Sequence, residues 1–233
     1  MEIIPNPQNN IPENAPKPKV EIEPEFIAFV PQEFLDDPTG YFEREGKNIK
    51  TGDIKYDSIG VVREDPTAVK DLPIWKNTEG MEIQTVGKRV NTTKGAVGES
   101  GDPLHEYKVL EQLSQMGLPA SKPVAKAEHA GTHIIIMERI PGLRWSEKES
   151  LNLKEKGYSD EDIATLMNEA EQKMSALKTQ FDAAGVIRGW KLKDMVFEVD
   201  IENKRIASMV PTDWERTRIV GHGAVLVGLA KGN

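Results

Sequence analysis

Two helices stand out in the spacing of apolar residues along the chain. The first is predicted to begin at Asp102, a good N-cap residue followed by Pro103 at the first helical position, and to end at Gly117. Its apolar residues recur at three-residue spacing and form one slowly drifting face: Leu104, Tyr107, Leu110, Leu113 and Met116. Glu106 lies beside this face, so we expect its carboxylate near a buried interface.

The second helix has the clearer signals. Ser159 and Asp162, three residues apart, resemble a capping box, in which two side chains satisfy backbone amides at a helix start. Gly185 is predicted to end this helix. Its buried stripe consists of apolar residues at helical spacing: Ile163, Leu166, Met167, Ala170, Met174, Leu177 and Phe181.

Strands are predicted on either side of the first helix. Residues of Met81–Val90 alternate between two faces, so that Lys88 would project from a regular strand. The run His133–Ile140 is short, apolar and rich in β-branched residues, and it stops at Pro141 and Gly142. This pattern predicts a buried strand that enters a turn.

Other segments carry weaker signals. Two further short strands are expected at Val196–Val199 and Ile206–Val210, separated by a polar turn. Between Glu21 and Asp71, apolar runs such as residues 26–30 alternate with turn residues, which suggests strands or irregular structure.

The two ends of the chain differ in composition. Residues 1–19 are rich in proline and polar residues, which predicts a flexible tail, with a short partner-binding segment as the alternative. The apolar stretch Ile219–Ala230 is too short to cross a bilayer, so a packed strand or helix is expected there.

Composition narrows the classes of function. The 233 residues carry a net charge of −8, and the basic residues form no stripe, which argues against a nucleic-acid partner. With no cysteine, the chain has no disulfide, thiolate metal site or cysteine nucleophile. It shows no signal-peptide pattern and no apolar run long enough for a membrane span, so a cytoplasmic protein is expected.

The order of these parts resembles the protein-kinase-like superfamily, including its aminoglycoside and lipopolysaccharide phosphotransferases. The resemblance consists of Lys88 on a strand, Glu106 on a helix 18 residues later, a strand ending in M-E-R-I-P-G, a long helix, a loop, and T-D-W-E around Asp213. It implies an α+β, two-lobe fold. Residues 20–140 would form a β-rich N-terminal lobe with one helix, and residues 141–233 a truncated, mainly helical C-terminal lobe.

The resemblance also implies an ATP site. Lys88 would grip the phosphates while Glu106 orients it, and the backbone of a hinge containing Met137, Glu138 and Ile140 would bind the adenine. The alternatives are that the two charges are solvated surface residues, and that the hinge is an ordinary strand with a Pro-Gly turn.

The loop Val186–Val196 aligns without a gap on the catalytic loop of the family. Lys191 matches as a transition-state charge, whereas Gly189 replaces the catalytic aspartate and Asp194 the metal-binding asparagine. Asp213 matches the family's second metal ligand, so Asp194 and Asp213 would share Mg²⁺ with the nucleotide. The alternative is a surface loop that joins a helix to a strand.

Two features of the family are missing from the sequence. No G-x-G-x-x-G phosphate loop precedes Lys88, because Gly60 and Gly80 are isolated. Gly189 cannot accept a proton from a substrate hydroxyl, which puts ordinary phosphoryl transfer in doubt.

Three functions remain open at this point. The leading hypothesis is a pseudokinase or weakly active kinase that binds ATP and Mg²⁺ and regulates a protein partner. The first alternative is an active phosphotransferase or nucleotidyltransferase that modifies a hydroxyl group and uses Asp194 or Glu215 as its base. The second is a protein-interaction domain that binds no nucleotide.

Overall fold

The computed structural model describes five segments of the chain: residues 17–48, 67–91, 101–129, 131–144 and 151–220. Most of the predicted tail, residues 1–16, lies outside them. The same holds for Ile59–Val62, one of the apolar runs of the first lobe, and for the predicted apolar stretch beyond Val220.

An antiparallel sheet of six strands forms the centre of the first lobe. Its strands are β1 (Lys19–Ile22), β2 (Lys47–Asn48), β3 (Thr67–Asp71), β6 (Thr85–Asn91), β7 (Pro123–His129) and β8 (Thr132–Glu138), and a separate hairpin is formed by β4 (Trp75–Lys76) and β5 (Glu82–Ile83). Their order in the sheet is β1-β7-β8-β6-β3-β2, which places β6 in the interior. The predicted strand His133–Ile140 is β8, and it ends two residues earlier than expected.

Strand β6 carries Lys88, but it does not extend over the whole of Met81–Val90. The chain joins the six-stranded sheet only after Gln84. The carbonyl oxygen of Gln84 accepts a hydrogen bond of 2.8 Å from the Arg139 amide. The residues before it pair with β4 instead. The prediction of one continuous strand is therefore wrong at its start, because alternation alone does not reveal a change of partner strand.

Two helices lie where strands or irregular structure were expected. They are α1 (Gln32–Asp36) and α2 (Pro38–Glu45). Pro38 occupies the first helical position of α2, and the Asp37 carboxylate accepts the Gly40 amide at 2.9 Å. Phe34 and Phe42 are completely buried beneath the sheet. The run 26–30 is likewise no strand, since it begins inside a 3₁₀ turn at Pro24–Phe26 and continues as a turn.

Helix α3 spans His105–Gln115 with Leu104 as its N-cap residue, so it begins two residues later than predicted. Asp102 does cap a chain reversal, because its carboxylate accepts the Leu104 amide at 2.9 Å. Its carbonyl oxygen accepts the His105 amide at 3.0 Å, which makes residues 102–104 a turn ahead of the helix. Gly117, with a φ of +66°, ends it as predicted.

The second lobe is built on one long helix, α4 (Asp160–Ala183), with both hydrogen bonds of the predicted capping box in place. Its strands are β9 (Leu143–Arg144), β10 (Val186–Ile187), β11 (Met195–Asp200), β12 (Arg205–Pro211) and β13 (Arg218–Ile219). They form two small sheets, β12-β11-β9 and β10-β13. The β11–β12 hairpin confirms the two strands predicted near the end of the chain.

The architecture is the expected α+β fold of two lobes. A β-rich lobe holds α3, and residues 139–142 lead from it to the lobe that holds α4. None of the described helices combines the length and the apolar composition that a membrane crossing requires.

Candidate functional site

Lys88 and Glu106 form a buried ion pair, as the sequence predicted. The Lys88 Nζ lies 2.7 Å from the Glu106 Oε2, and each residue is only 8% exposed. Strand β6 fixes the lysine, and the first turn of α3 fixes the glutamate. A buried charge pair of this kind is costly to desolvate, so its presence marks a place where a fixed charge is maintained.

The segment after β12 joins this pair through the backbone of Trp214. The Trp214 amide donates to the Glu106 Oε1 at 3.3 Å. The indole is 1% exposed and stacks on Phe181 of α4, with ring centroids 5.5 Å apart. It also belongs to an apolar cluster that includes Leu110 of α3. The three predicted residues Lys88, Glu106 and Asp213 therefore come together between the lobes.

A second carboxylate reaches Lys88 from the same segment. Glu215, two residues beyond Asp213, forms an ion pair with the Lys88 Nζ, and its side chain is 38% exposed. Burial by itself would lower the pKa of Lys88, but Glu106 and Glu215 outweigh it and hold that pKa above its ordinary value. Lys88 is therefore a permanent cation.

Asp213 has an unusual backbone and an unusual acidity. Its φ of +63° lies in the left-handed region, which side chains other than glycine adopt at a cost. The residue keeps contact with solvent, yet surrounding atoms partly desolvate the carboxyl group. This desolvation, and then the nearby Glu106 and Glu215, raise the pKa of Asp213, while Lys88 opposes them.

Asp194 lies beside Asp213 because its backbone is tied to the neighbouring residue Thr212. The Asp194 carbonyl oxygen accepts the Thr212 amide at 2.8 Å and the Thr212 hydroxyl at 3.0 Å. The Asp194 charge contributes to the raised pKa of Asp213. Within the described segments no group of three or more metal-binding side chains exists.

Arg188 connects the loop before Asp194 to the segment of Asp213. Its Nη2 donates to the Thr212 carbonyl oxygen at 2.8 Å, and its Nε donates to the Gly189 carbonyl oxygen at 3.1 Å. The guanidinium also lies 4.3 Å from the centre of the Trp214 ring. The sequence predicted no role for Arg188.

Gly189 and Lys191 lie on the solvent side of this loop. A Cβ added to Gly189 would meet no atom within 4 Å, so there is room for a side chain but no chemical group. Lys191 is exposed, and its carbonyl oxygen accepts the Asp194 amide at 3.0 Å. Lys191 therefore lies on the same turn as Asp194.

The predicted hinge follows β8. The Glu138 amide donates to the Lys122 carbonyl oxygen, and the Arg139 amide donates to Gln84, each at 2.8 Å. Neither amide is therefore available to an adenine ring. Among the hydrogen bonds between described residues, none uses the Ile140 amide, whereas Met137 packs partly buried against the cluster that contains Trp214.

Of the two isolated glycines before Lys88, Gly60 lies outside the described residues and Gly80 lies within them. The connection between β2 and β3, which includes Gly60, comprises residues 49–66. Gly80 lies in the turn of the β4–β5 hairpin, with a φ of +79°.

The arrangement of these parts is protein-kinase-like. An interior strand of an antiparallel sheet carries Lys88, the adjacent helix supplies Glu106, and two loops of the other lobe supply Asp194 and Asp213. The assignment of the fold rests on this topology.

Comparisons with known proteins gave structural neighbours only. No family model matches the chain, and no curated protein matches it. A solved structure of WaaP in complex with acyl carrier protein is 16% identical, with a TM-score of 0.47 over 87% of this chain and 73% of that chain.

Two further neighbours are the bifunctional kinase-methyltransferase WbdD and Rad53 in complex with AMP-PNP. WbdD is 14% identical, with a TM-score of 0.43 over 80% of this chain and 37% of its own. Rad53 is 14% identical, with a TM-score of 0.40 over 74% of this chain and 38% of its own. The chain thus spans little more than a third of these two proteins.

Proposed function

We propose that the protein binds ATP with Mg²⁺ between its lobes and acts as a pseudokinase or weakly active kinase that regulates a protein partner. The observation that carries the proposal is the buried Lys88–Glu106 pair facing Asp213. In the loop that contains Asp194, Gly189 leaves the place of the catalytic base without a side chain.

The charges of the site suit a nucleotide with a divalent cation. Lys88 would bind the phosphates, as a permanent cation held from the far side by Glu106. Asp194 and Asp213 would hold Mg²⁺, which characteristically takes one or two protein carboxylates and completes its shell with water and phosphate oxygens. Desolvation, and then the nearby Glu106 and Glu215, raise the pKa of Asp213, and a bound cation would offset the repulsion among these carboxylates.

The base of the nucleotide would lie against the hinge. The Ile140 amide is the donor of this segment that remains for it, since the amides of Glu138 and Arg139 are engaged. Met137 offers apolar surface to the ring. With the amides of Glu138 and Arg139 engaged, we expect modest affinity.

Phosphoryl transfer should be slow because a base is missing. General-base catalysis typically contributes about 10²- to 10⁴-fold to such rates. Of the two replacement bases considered, Glu215 is engaged by Lys88, which leaves Asp194, and Asp194 is needed for the cation. These contacts favour the pseudokinase over the active transferase.

A regulatory role would use the connection between the site and the rest of the fold. Trp214 contacts Glu106 through its amide and the apolar cluster through its ring. A ligand that moves the segment around Asp213 would therefore move α3 and α4 relative to each other, which a partner protein could detect.

Thermal unfolding with and without ligand tests the proposal. A ligand at 100 times its dissociation constant stabilises a fold by roughly 2.7 kcal/mol, so Mg-ATP at millimolar concentration should raise the melting temperature. The shift should require Mg²⁺ and should disappear in Asp213→Ala. No shift in the wild type would favour the interaction domain that binds no nucleotide.

A further inference from the structure

We infer that Glu215 competes with the phosphates of the ligand for Lys88, so that this one side chain sets the affinity of the site for polyphosphates. The inference rests on the proposed function, because it concerns the same lysine. It adds a role for Glu215 that is the opposite of a general base.

The two carboxylates on Lys88 are not equivalent. Glu106 is fixed from both sides, since its Oε2 accepts from Lys88 at 2.7 Å and its Oε1 accepts the Trp214 amide. Releasing it would leave a buried charge and a buried amide without partners, which is costly. Glu106 therefore stays in place when a ligand arrives.

Glu215 can be released at much lower cost. Its side chain is 38% exposed, against 9% for Glu106, so water can solvate the carboxylate once it leaves the lysine. It approaches Lys88 from the segment of Asp213, where the phosphates of a Mg-bound nucleotide would lie. The Glu215 carboxylate therefore occupies the place on Lys88 that a phosphate of the ligand would take.

The competition does not depend on how the phosphate approaches. An ammonium group has three N–H donors, and the two carboxylates leave one of them. A phosphate that takes that donor meets the negative charge of Glu215 at contact distance, and one that replaces Glu215 must first break its ion pair with Lys88. Neutralising Glu215 should therefore favour phosphate binding.

Isothermal titration calorimetry on the full chain tests this with three probes: Mg-ATP, magnesium tripolyphosphate and adenosine. Glu215→Gln should bind both polyphosphates about twofold to fivefold more tightly than the wild type, the range expected for a partly solvated charge contact. Adenosine carries no phosphate, so its affinity should not change.

Two further variants separate the contact from net charge and from misfolding. Glu171→Gln makes the same charge change at an exposed position of α4 and should leave every affinity unchanged. Glu215→Asp keeps the charge but shortens the side chain, so it should give an intermediate gain. Melting temperatures close to that of the wild type will show that each variant is folded.

The binding data distinguish a failure of this inference from a failure of the proposed function. If the wild type binds Mg-ATP and Glu215→Gln binds it equally or more weakly, the inference is overturned and the proposed function stands. An equal gain in Glu171→Gln also overturns it, because net charge would then explain the effect. If no chain binds either polyphosphate, the proposed function fails and the inference fails with it.

Discussion

The ionised carboxylate of Asp213 lowers the free energy of unfolding. Its pKa is raised by desolvation and by neighbouring carboxylates, so the folded state binds a proton at Asp213 more strongly than the unfolded chain does. The stability that this proton contributes is fully present below the ordinary pKa of 3.8 and is lost as the pH rises through the raised value. At neutral pH the charged group therefore destabilises the fold.

Asp213→Asn should consequently raise the melting temperature at pH 7 while it weakens Mg-dependent ATP binding. Solvent screening of this exposed residue limits the gain to about 1 kcal/mol, which corresponds to roughly 2–4 °C in a chain of this length. The gain should fade as the pH is lowered toward 3.8. A loss of stability at pH 7, or a gain that does not depend on pH, would contradict the assigned environment of Asp213.

Lys88 lies between two carboxylates, those of Glu106 and Glu215. Sequence spacing could predict the first contact, because a strand lysine and a helix glutamate recur in a known order. The second joins residues 127 positions apart. It has no local signal, and neither does the contact of Arg188 with Thr212. Such contacts depend on how the segment after β12 packs against the sheet, which no local sequence pattern reveals.

Local signals predicted the elements that carry strong caps and regular apolar stripes. The Ser159–Asp162 capping box marks the start of α4 in both sequence and structure. The predicted start of α3 was wrong, because an Asx turn at Asp102 uses the same residue types as a helix N-cap. The short helices α1 and α2 were missed, since five and eight residues offer too little periodicity.

The turn between the lobes gives a test at the level of one element. Gly142 has a φ of +110°, and an added Cβ would lie 2.4 Å from the Phe197 carbonyl oxygen. Gly142→Ala should therefore destabilise the protein by about 2 kcal/mol or more, through both strain and overlap. Denaturant unfolding measures the loss.

Gly80→Ala is the matched control for this substitution. Gly80 also has a positive φ, of +79°, but an added Cβ would meet nothing within 4 Å. Only the backbone cost applies there, about 1 kcal/mol. Equal losses in the two variants would show that Phe197 does not pack against residue 142 as described.

The two lobes together determine whether the protein can transfer phosphate. The wild type should transfer the γ-phosphate of ATP poorly or not at all, because Gly189 supplies no base. Gly189→Asp should raise any residual transfer or ATP turnover, and the open space at this position allows the side chain. Radiolabelled ATP with generic protein substrates provides the assay. Robust wild-type transfer that survives both Asp194→Ala and Asp213→Ala would place the chemistry elsewhere.

The structure of the full chain with Mg²⁺ and a non-hydrolysable ATP analogue tests the central claim most directly. We predict the phosphates on Lys88 with the Lys88–Glu106 contact retained, the cation on Asp194 and Asp213, the base beside Ile140, and Glu215 turned toward solvent. Crystals grown at millimolar analogue that show the Lys88–Glu215 pair intact and no nucleotide between the lobes would contradict it.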